Sequence, residues 1–142
     1  MTHLTRTRLL EGAGLFIAVT GLVAVLSVLW PTNPLITLFF SGAAYPLQGD
    51  PLTTRVDLLM LAIIGGLTCG IGVFLFAVAR HIYARDPQTG GRIATMGFVA
   101  WFVPDSIGSV LAGAASNVGL NLVFLVVALG AIWWPGREEA RA

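Results

Sequence analysis

The residues best able to do chemistry in this chain fall in one stretch: Asp105, Ser106 and Ser109, followed by Asn117 and Asn121. An acid, two hydroxyls and two amides here interrupt sequence that is otherwise soluble in lipid. A carboxyl group in apolar surroundings can hold a proton or a cation, and hydroxyls and amides can orient it. Ser109 follows Asp105 at i+4, and Asn121 follows Asn117 at i+4, so each pair shares a face of a helix. Folding the chain back about Gly113 sets Asn117 opposite Ser109 and Asn121 opposite Asp105. The spacing thus predicts a polar ladder between two helices, with Ser106 and Ser116 close enough to join it.

Two tasks fit such a ladder. Asp105 could be a proton or ion site beside a path, or it could donate to Asn121 and fasten the two helices together. Polar pairs between membrane helices contribute about 0.6 kcal/mol on average. That is small against the roughly 2.5–3.5 kcal/mol cost of inserting an acid at a helix centre. A chain this small would have to oligomerise to enclose a pathway, so fastening is the first reading and transport the alternative. Pro104, directly before the acid, removes one backbone hydrogen bond and frees the carbonyl of Ala100. It predicts a kinked or broken helix at that point.

The elements that must position these residues follow from composition. Of 142 residues, 56% are hydrophobic and 11% charged, and the mean hydropathy is +0.86. A soluble domain carries roughly 25% charged residues, and here the deficit is concentrated in long apolar runs, the signature of membrane spans. The net charge of +1 implies no nucleic acid or other acidic polymer as a partner. The lone Cys69 can make no internal disulfide and no multi-cysteine metal site.

The first apolar run extends from about Gly12 to Trp30, behind a short head bearing Arg6 and Arg8. It exceeds the roughly 7–15 residues of a signal-peptide core, so it reads as a retained helix. Pro31, Pro34, Pro46 and Pro51 rule out a continuous helix through the connection that follows. Within it, Leu35 to Phe40 is apolar but too short to span, and reads as an interfacial segment. Thr53 or Thr54 can cap a second helix, from about Val56 to Ala79, with Asp57 in its first turn. Arg80 to Arg92 reads as a basic turn, its Asp86-Pro87 and Gly90-Gly91 steps being loop chemistry. A third helix is predicted from about Ile93 to Ala112 and a fourth from about Asn117 to Trp134.

Four spans put the head, the basic turn and the tail on one side. That side holds Arg6, Arg8, Arg80, Arg85, Arg92, Arg137 and Arg141, and the other holds Arg55. The positive-inside rule then places both termini in the cytoplasm, with Trp30 at the outer boundary and Tyr83, Trp133 and Trp134 at the inner one.

The second helix is rich in glycine. Gly66 and Gly70 form a GxxxG match that Gly65 extends, and such faces let helix backbones approach closely. Gly65, Gly66, Gly70 and Gly113 are therefore the expected helix-packing glycines, with a seam between copies of the chain as the alternative. Glu11, three residues past Arg8, reads as one half of an interfacial ion pair. In size, helix count and an acid in the first helix, the chain resembles small multidrug resistance transporters. Its strong arginine bias differs from the weak bias on which their antiparallel pairing depends.

No zinc, dinucleotide or phosphate-loop pattern is present. Ser106 and Ser109 have no histidine at a plausible depth, since His3 and His81 both lie in basic segments. The sequence reads as an all-α integral membrane four-helix bundle, one domain over residues 1–142, in a cell (inner or plasma) membrane. It is expected to be non-enzymatic, without metal or cofactor, and to have a structural or accessory role. Its expected partners are the lipid bilayer and a second copy or another membrane protein. A proton- or cation-coupled transporter or channel subunit using Asp105 is the alternative.

Overall fold

The computed structural model describes residues 2–30 and 54–133, and these form four long helices. They are α1 (His3–Ser27), α2 (Arg55–Val78), α3 (Pro87–Leu111) and α4 (Ala115–Trp133). A five-residue π-helical turn, Ala79–Tyr83, continues α2. Among the described residues there is no strand. All four helices are long and apolar enough to cross a membrane. At about 1.5 Å per residue, even the shortest approaches the ~30 Å of a hydrocarbon core. The interfacial segment expected at Leu35 to Phe40 lies outside the described residues, as do Arg137 and Arg141.

Local chemistry accounts for where the helices begin. The α1 helix starts at His3, well before the apolar run at Gly12, because the Thr2 hydroxyl accepts from the Thr5 N–H at 3.2 Å. Thr54 caps α2, and its hydroxyl and the Asp57 carboxylate satisfy each other's backbone N–H groups at 3.1 and 3.0 Å. The largest departure is at α3. The expected loop at Asp86-Pro87 and Gly90-Gly91 is instead an N-cap and the first turns of the helix. The Asp86 carboxylate accepts from the Gln88 and Thr89 N–H groups at 3.1 and 3.0 Å. Pro87 takes the first helical position, where its missing N–H is no loss. Hydrogen bonds from Thr89, its side chain first, hold the Asp86 carboxyl below its ordinary value.

Nor does Pro104 break α3, which runs through it to Leu111. Pro104 removes one backbone hydrogen bond, and the helix continues on either side of it.

The helices run up, down, up, down, and contacts at one end fix that arrangement. His3 Nε2 donates to the Ala84 carbonyl at 3.1 Å, so the start of α1 meets the end of α2. The Tyr83 hydroxyl donates to the Ile132 carbonyl at 3.0 Å, bringing in the end of α4. Trp133 Nε1 donates to Thr95 Oγ1 at 2.8 Å, tying α4 to the first half of α3. Gly90 admits this packing, since a β-carbon there would lie 2.5 Å from the Tyr83 Cα. Leu10, Leu75, Val78, Ala79, Tyr83, Ala94 and Ile132 form the buried core at this end, with all four helices contributing. Five of the described arginines, Arg6, Arg8, Arg80, Arg85 and Arg92, belong to this end, and Arg55 stands at the opposite one.

Away from that core the molecule resolves into two helix pairs with different fasteners. The α1–α2 pair is a seam of small residues. Gly14, Ala18, Gly21 and Ala24 of α1 are buried, as are Gly65 and Gly72 of α2. A β-carbon on Gly14 would lie 2.8 Å from the Gly72 carbonyl oxygen, and one on Gly65 would lie 2.8 Å from that of Gly21. Both helices thus repeat glycine every seven residues along one face, and the backbones close on each other. The expected packing role of Gly66 and Gly70 is not what the fold uses. Both are exposed, and a β-carbon on either would meet nothing within 4 Å. Gly65 is the member of the expected set that packs, with Gly72 as its partner in the repeat.

Candidate functional site

The α3–α4 pair is held by polar groups, and its register is set at Gly113. That residue has φ +77°, the left-handed conformation that favours glycine. The Ala114 N–H donates to the Ser109 carbonyl at 2.8 Å and the Gly113 N–H to that of Val110 at 3.0 Å. This pair of bonds is a Schellman motif, and it satisfies carbonyls at the end of α3 while reversing the chain. Gly113 therefore acts through backbone conformation rather than the helix packing expected of it, and nothing lies within 4 Å of where its β-carbon would be.

From this turn the two i,i+4 pairs come together rung by rung. Asn117 Nδ2 donates to Ser109 Oγ at 2.9 Å and also to Asp105 Oδ2 at 3.2 Å. Asn121 Nδ2 donates to the same oxygen, Asp105 Oδ2. Asn121 is buried, at 6% relative exposure, while Asp105, Ser109 and Asn117 are half-buried. Asp105 lies 18 residues beyond Pro87, or about 27 Å along α3. It is far from the arginine-rich end.

The hydrogen bonding is lopsided. One carboxylate oxygen takes both amide donors, and Oδ1 takes none among the described residues. No basic side chain among them bonds to Asp105 either. The structure brings Asp105, Ser109, Asn117 and Asn121 together and leaves Ser106 out. The Ser106 hydroxyl is buried with no hydrogen-bond partner, and Ser116 is exposed. Adjacent residues on a helix point about 100° apart, which is why Ser106 cannot share the Asp105–Ser109 face.

A second polar assembly lies at the opposite end and was not legible as a unit in the sequence. The rings of His3 and Tyr83 pack with centroids 5.6 Å apart, and the Tyr83 hydroxyl reaches α4. The clue was the Gly90-Gly91 step, which admits Tyr83 at Gly90 and Ile132 with Trp133 at Gly91. Among the described residues, no three of His, Cys, Asp and Glu gather as a metal-holding group. No protein-family model, curated protein or solved structure matches the chain.

Proposed function

We propose that the chain is a small multi-pass integral membrane protein with a structural or accessory, non-enzymatic role. One observation carries this reading: both asparagine amides of α4 converge on a single oxygen of Asp105. That arrangement spends the polar groups on joining α3 to α4. Four helices of spanning length and the arginine excess at one end support a cell (inner or plasma) membrane location with both termini cytoplasmic. The bilayer is the main partner on this reading. The exposed apolar flanks of the helices, such as Phe16, Leu67, Phe74, Met96 and Val127, would face lipid, a second copy or another membrane protein.

A second reading, a proton- or cation-coupled transporter or channel subunit, is favoured by a specific observation. Among the described residues, Asp105 Oδ1 has no hydrogen bond and no basic side chain bonds to the carboxyl group. Reconstitution of wild type and Asp105→Asn into vesicles separates the two. Fastening requires that neither protein passes protons, Na⁺ or K⁺ down a gradient and that Asp105→Asn leaves the fold largely intact. Flux through wild type that Asp105→Asn abolishes without loss of folding would favour transport. A reporter fused after Ala142 is expected to be active only on the cytoplasmic side.

A further inference from the structure

Three arginines at the arginine-rich end share one pattern on the helix surfaces. Arg8 is two residues from Leu10, Arg80 two from Val78 and Arg92 two from Ala94, and each of those neighbours is buried in the core at this end. At about 100° per residue, two positions put each arginine about 160° round its helix from the core. Arg8, Arg80 and Arg92 therefore stand on the outer flanks of α1, α2 and α3. All three are exposed, and none makes a hydrogen bond or ion pair among the described residues. The register of the seam sets two of them level. Gly14 lies against Gly72 and Phe76, and Gly21 against Gly65 and Cys69. Continued toward the arginine-rich end, that antiparallel register brings Arg8 to the level of Arg80. Arg80 Cζ lies 5.8 Å from the centre of the Phe76 ring, which holds the guanidinium along the flank. Two acids lie at this end among the described residues. Glu11 shares a flank with both Arg8 and Arg80, which leaves that flank positive. The Asp86 carboxylate is taken by the Gln88 and Thr89 N–H groups, and Arg92 adds to this only through space.

Inward of each arginine the same flank is apolar. Seven residues away, about two turns and about 10 Å, a helix returns to within about 20° of the same face. Counted toward the opposite end of the molecule, that position is Leu15 from Arg8, Val73 from Arg80 and Val99 from Arg92, exposed at 58%, 57% and 43%. Each flank thus carries a cation above a hydrocarbon stripe, on a helix of spanning length. A phosphate joined to acyl chains matches both parts, whereas a soluble acidic protein would answer the charge and leave the stripe unmatched. We infer that Arg8, Arg80 and Arg92 form a collar that binds the phosphates of anionic phospholipids, whose acyl chains lie along the flanks. Basic residues at a membrane surface attract anionic lipid, and a guanidinium can hold a phosphate through two parallel hydrogen bonds. The inference rests on the membrane reading of the four helices and concerns a surface separate from the ladder at Asp105.

Electron paramagnetic resonance of the full-length protein in phosphatidylcholine vesicles tests it, with spin-labelled phosphatidylglycerol and spin-labelled phosphatidylcholine as probes. The quantity read is the association constant of the first relative to the second, in the motionally restricted lipid at the protein surface. One arginine meeting one phosphate should favour the anionic lipid on the order of fivefold at its site, so the ratio for the whole boundary should exceed one. It should decline as NaCl is added. The ratio should fall toward one in the triple variant Arg8→Gln/Arg80→Gln/Arg92→Gln and be retained in Arg8→Lys/Arg80→Lys/Arg92→Lys, which keeps the charges. A wild-type ratio of one at low salt would overturn the inference, as would an unchanged ratio in the triple glutamine variant. Inorganic phosphate should lower the ratio no more than NaCl of equal ionic strength. A greater loss would overturn the collar in favour of a site for soluble phosphate. Because the wild-type ratio and both salt arms need no variant, a poorly folded variant does not block the test. Absence of restricted lipid with either probe would overturn the membrane reading itself, whereas restricted lipid without preference overturns the collar alone.

Discussion

Replacing Gly65 and Gly66 by alanine, one at a time, should have opposite effects although the residues are adjacent and both helical. Alanine is favoured over glycine in a helix interior by about 1 kcal/mol. Gly66 should realise that gain, because a β-carbon there meets nothing within 4 Å. At Gly65 the new atom would lie 2.8 Å from the Gly21 carbonyl oxygen, 2.8 Å from the Val25 nitrogen and 2.9 Å from the Ala24 β-carbon. Two of the three are backbone atoms and cannot swing aside, so α1 and α2 must separate. Overpacking of this kind costs typically about 1–3 kcal/mol. With backbone opposing, the upper part of that range applies. Less the helical gain, Gly65→Ala should be destabilising by about 1–2 kcal/mol and Gly66→Ala stabilising by up to about 1 kcal/mol. Reversible unfolding of each purified variant in bicelles, with wild type alongside, measures the difference. Equal effects, or a larger loss at Gly66, would refute the seam.

Two further perturbations probe the arginine-rich end. Tyr83→Phe keeps the buried ring but strands the Ile132 carbonyl, and should destabilise the protein by about 1–3 kcal/mol in the same unfolding assay. The Asp86 cap should lose its contribution only in acid. Its carboxyl is held below the ordinary value of 3.8, chiefly by Thr89, so the unfolded chain takes up the proton first as pH falls. Stability from this group is therefore complete above about pH 5 and lost as pH falls through the lowered value. Asp86→Ala should remove that part of the acid dependence, read from unfolding midpoints at a series of pH values.

Some of this architecture was legible in the sequence for definite reasons. Long apolar runs separated by polar or proline-bearing connections disclose four helices, because hydrophobic length is the property a membrane demands. The rungs of the ladder were legible because two i,i+4 pairs sit at equal distances from Gly113, and a glycine able to adopt positive φ fixes the register. Thr54 and Asp57 disclosed the start of α2, but the starts of α1 and α3 were not legible, since an apolar run marks where lipid solubility begins and not where a cap lies. Thr2 and Asp86 begin α1 and α3 well before the runs do. Gly90 and Gly91 look like a loop until Tyr83 is placed against them. Of the packing glycines of α2, Gly65 was legible and Gly72 was hidden, for a related reason. GxxxG is a property of one helix, whereas the seven-residue repeat of Gly65 and Gly72 has meaning only against Gly14 and Gly21 on its partner. Ser106 shows the converse error, in which nearness in sequence is mistaken for a shared face.

Above all, Asp105 and Asn121 should act on one another to hold α3 against α4. A double-mutant cycle measures that directly, using Asp105→Ala, Asn121→Ala and the double variant, with unfolding free energies taken in a bilayer or bicelle. The expected coupling is favourable and about 0.6–1.7 kcal/mol, the average and upper limit for polar pairs between membrane helices. Strictly additive losses, with the double variant equal to the sum of the singles, would contradict a fastening role for the ladder.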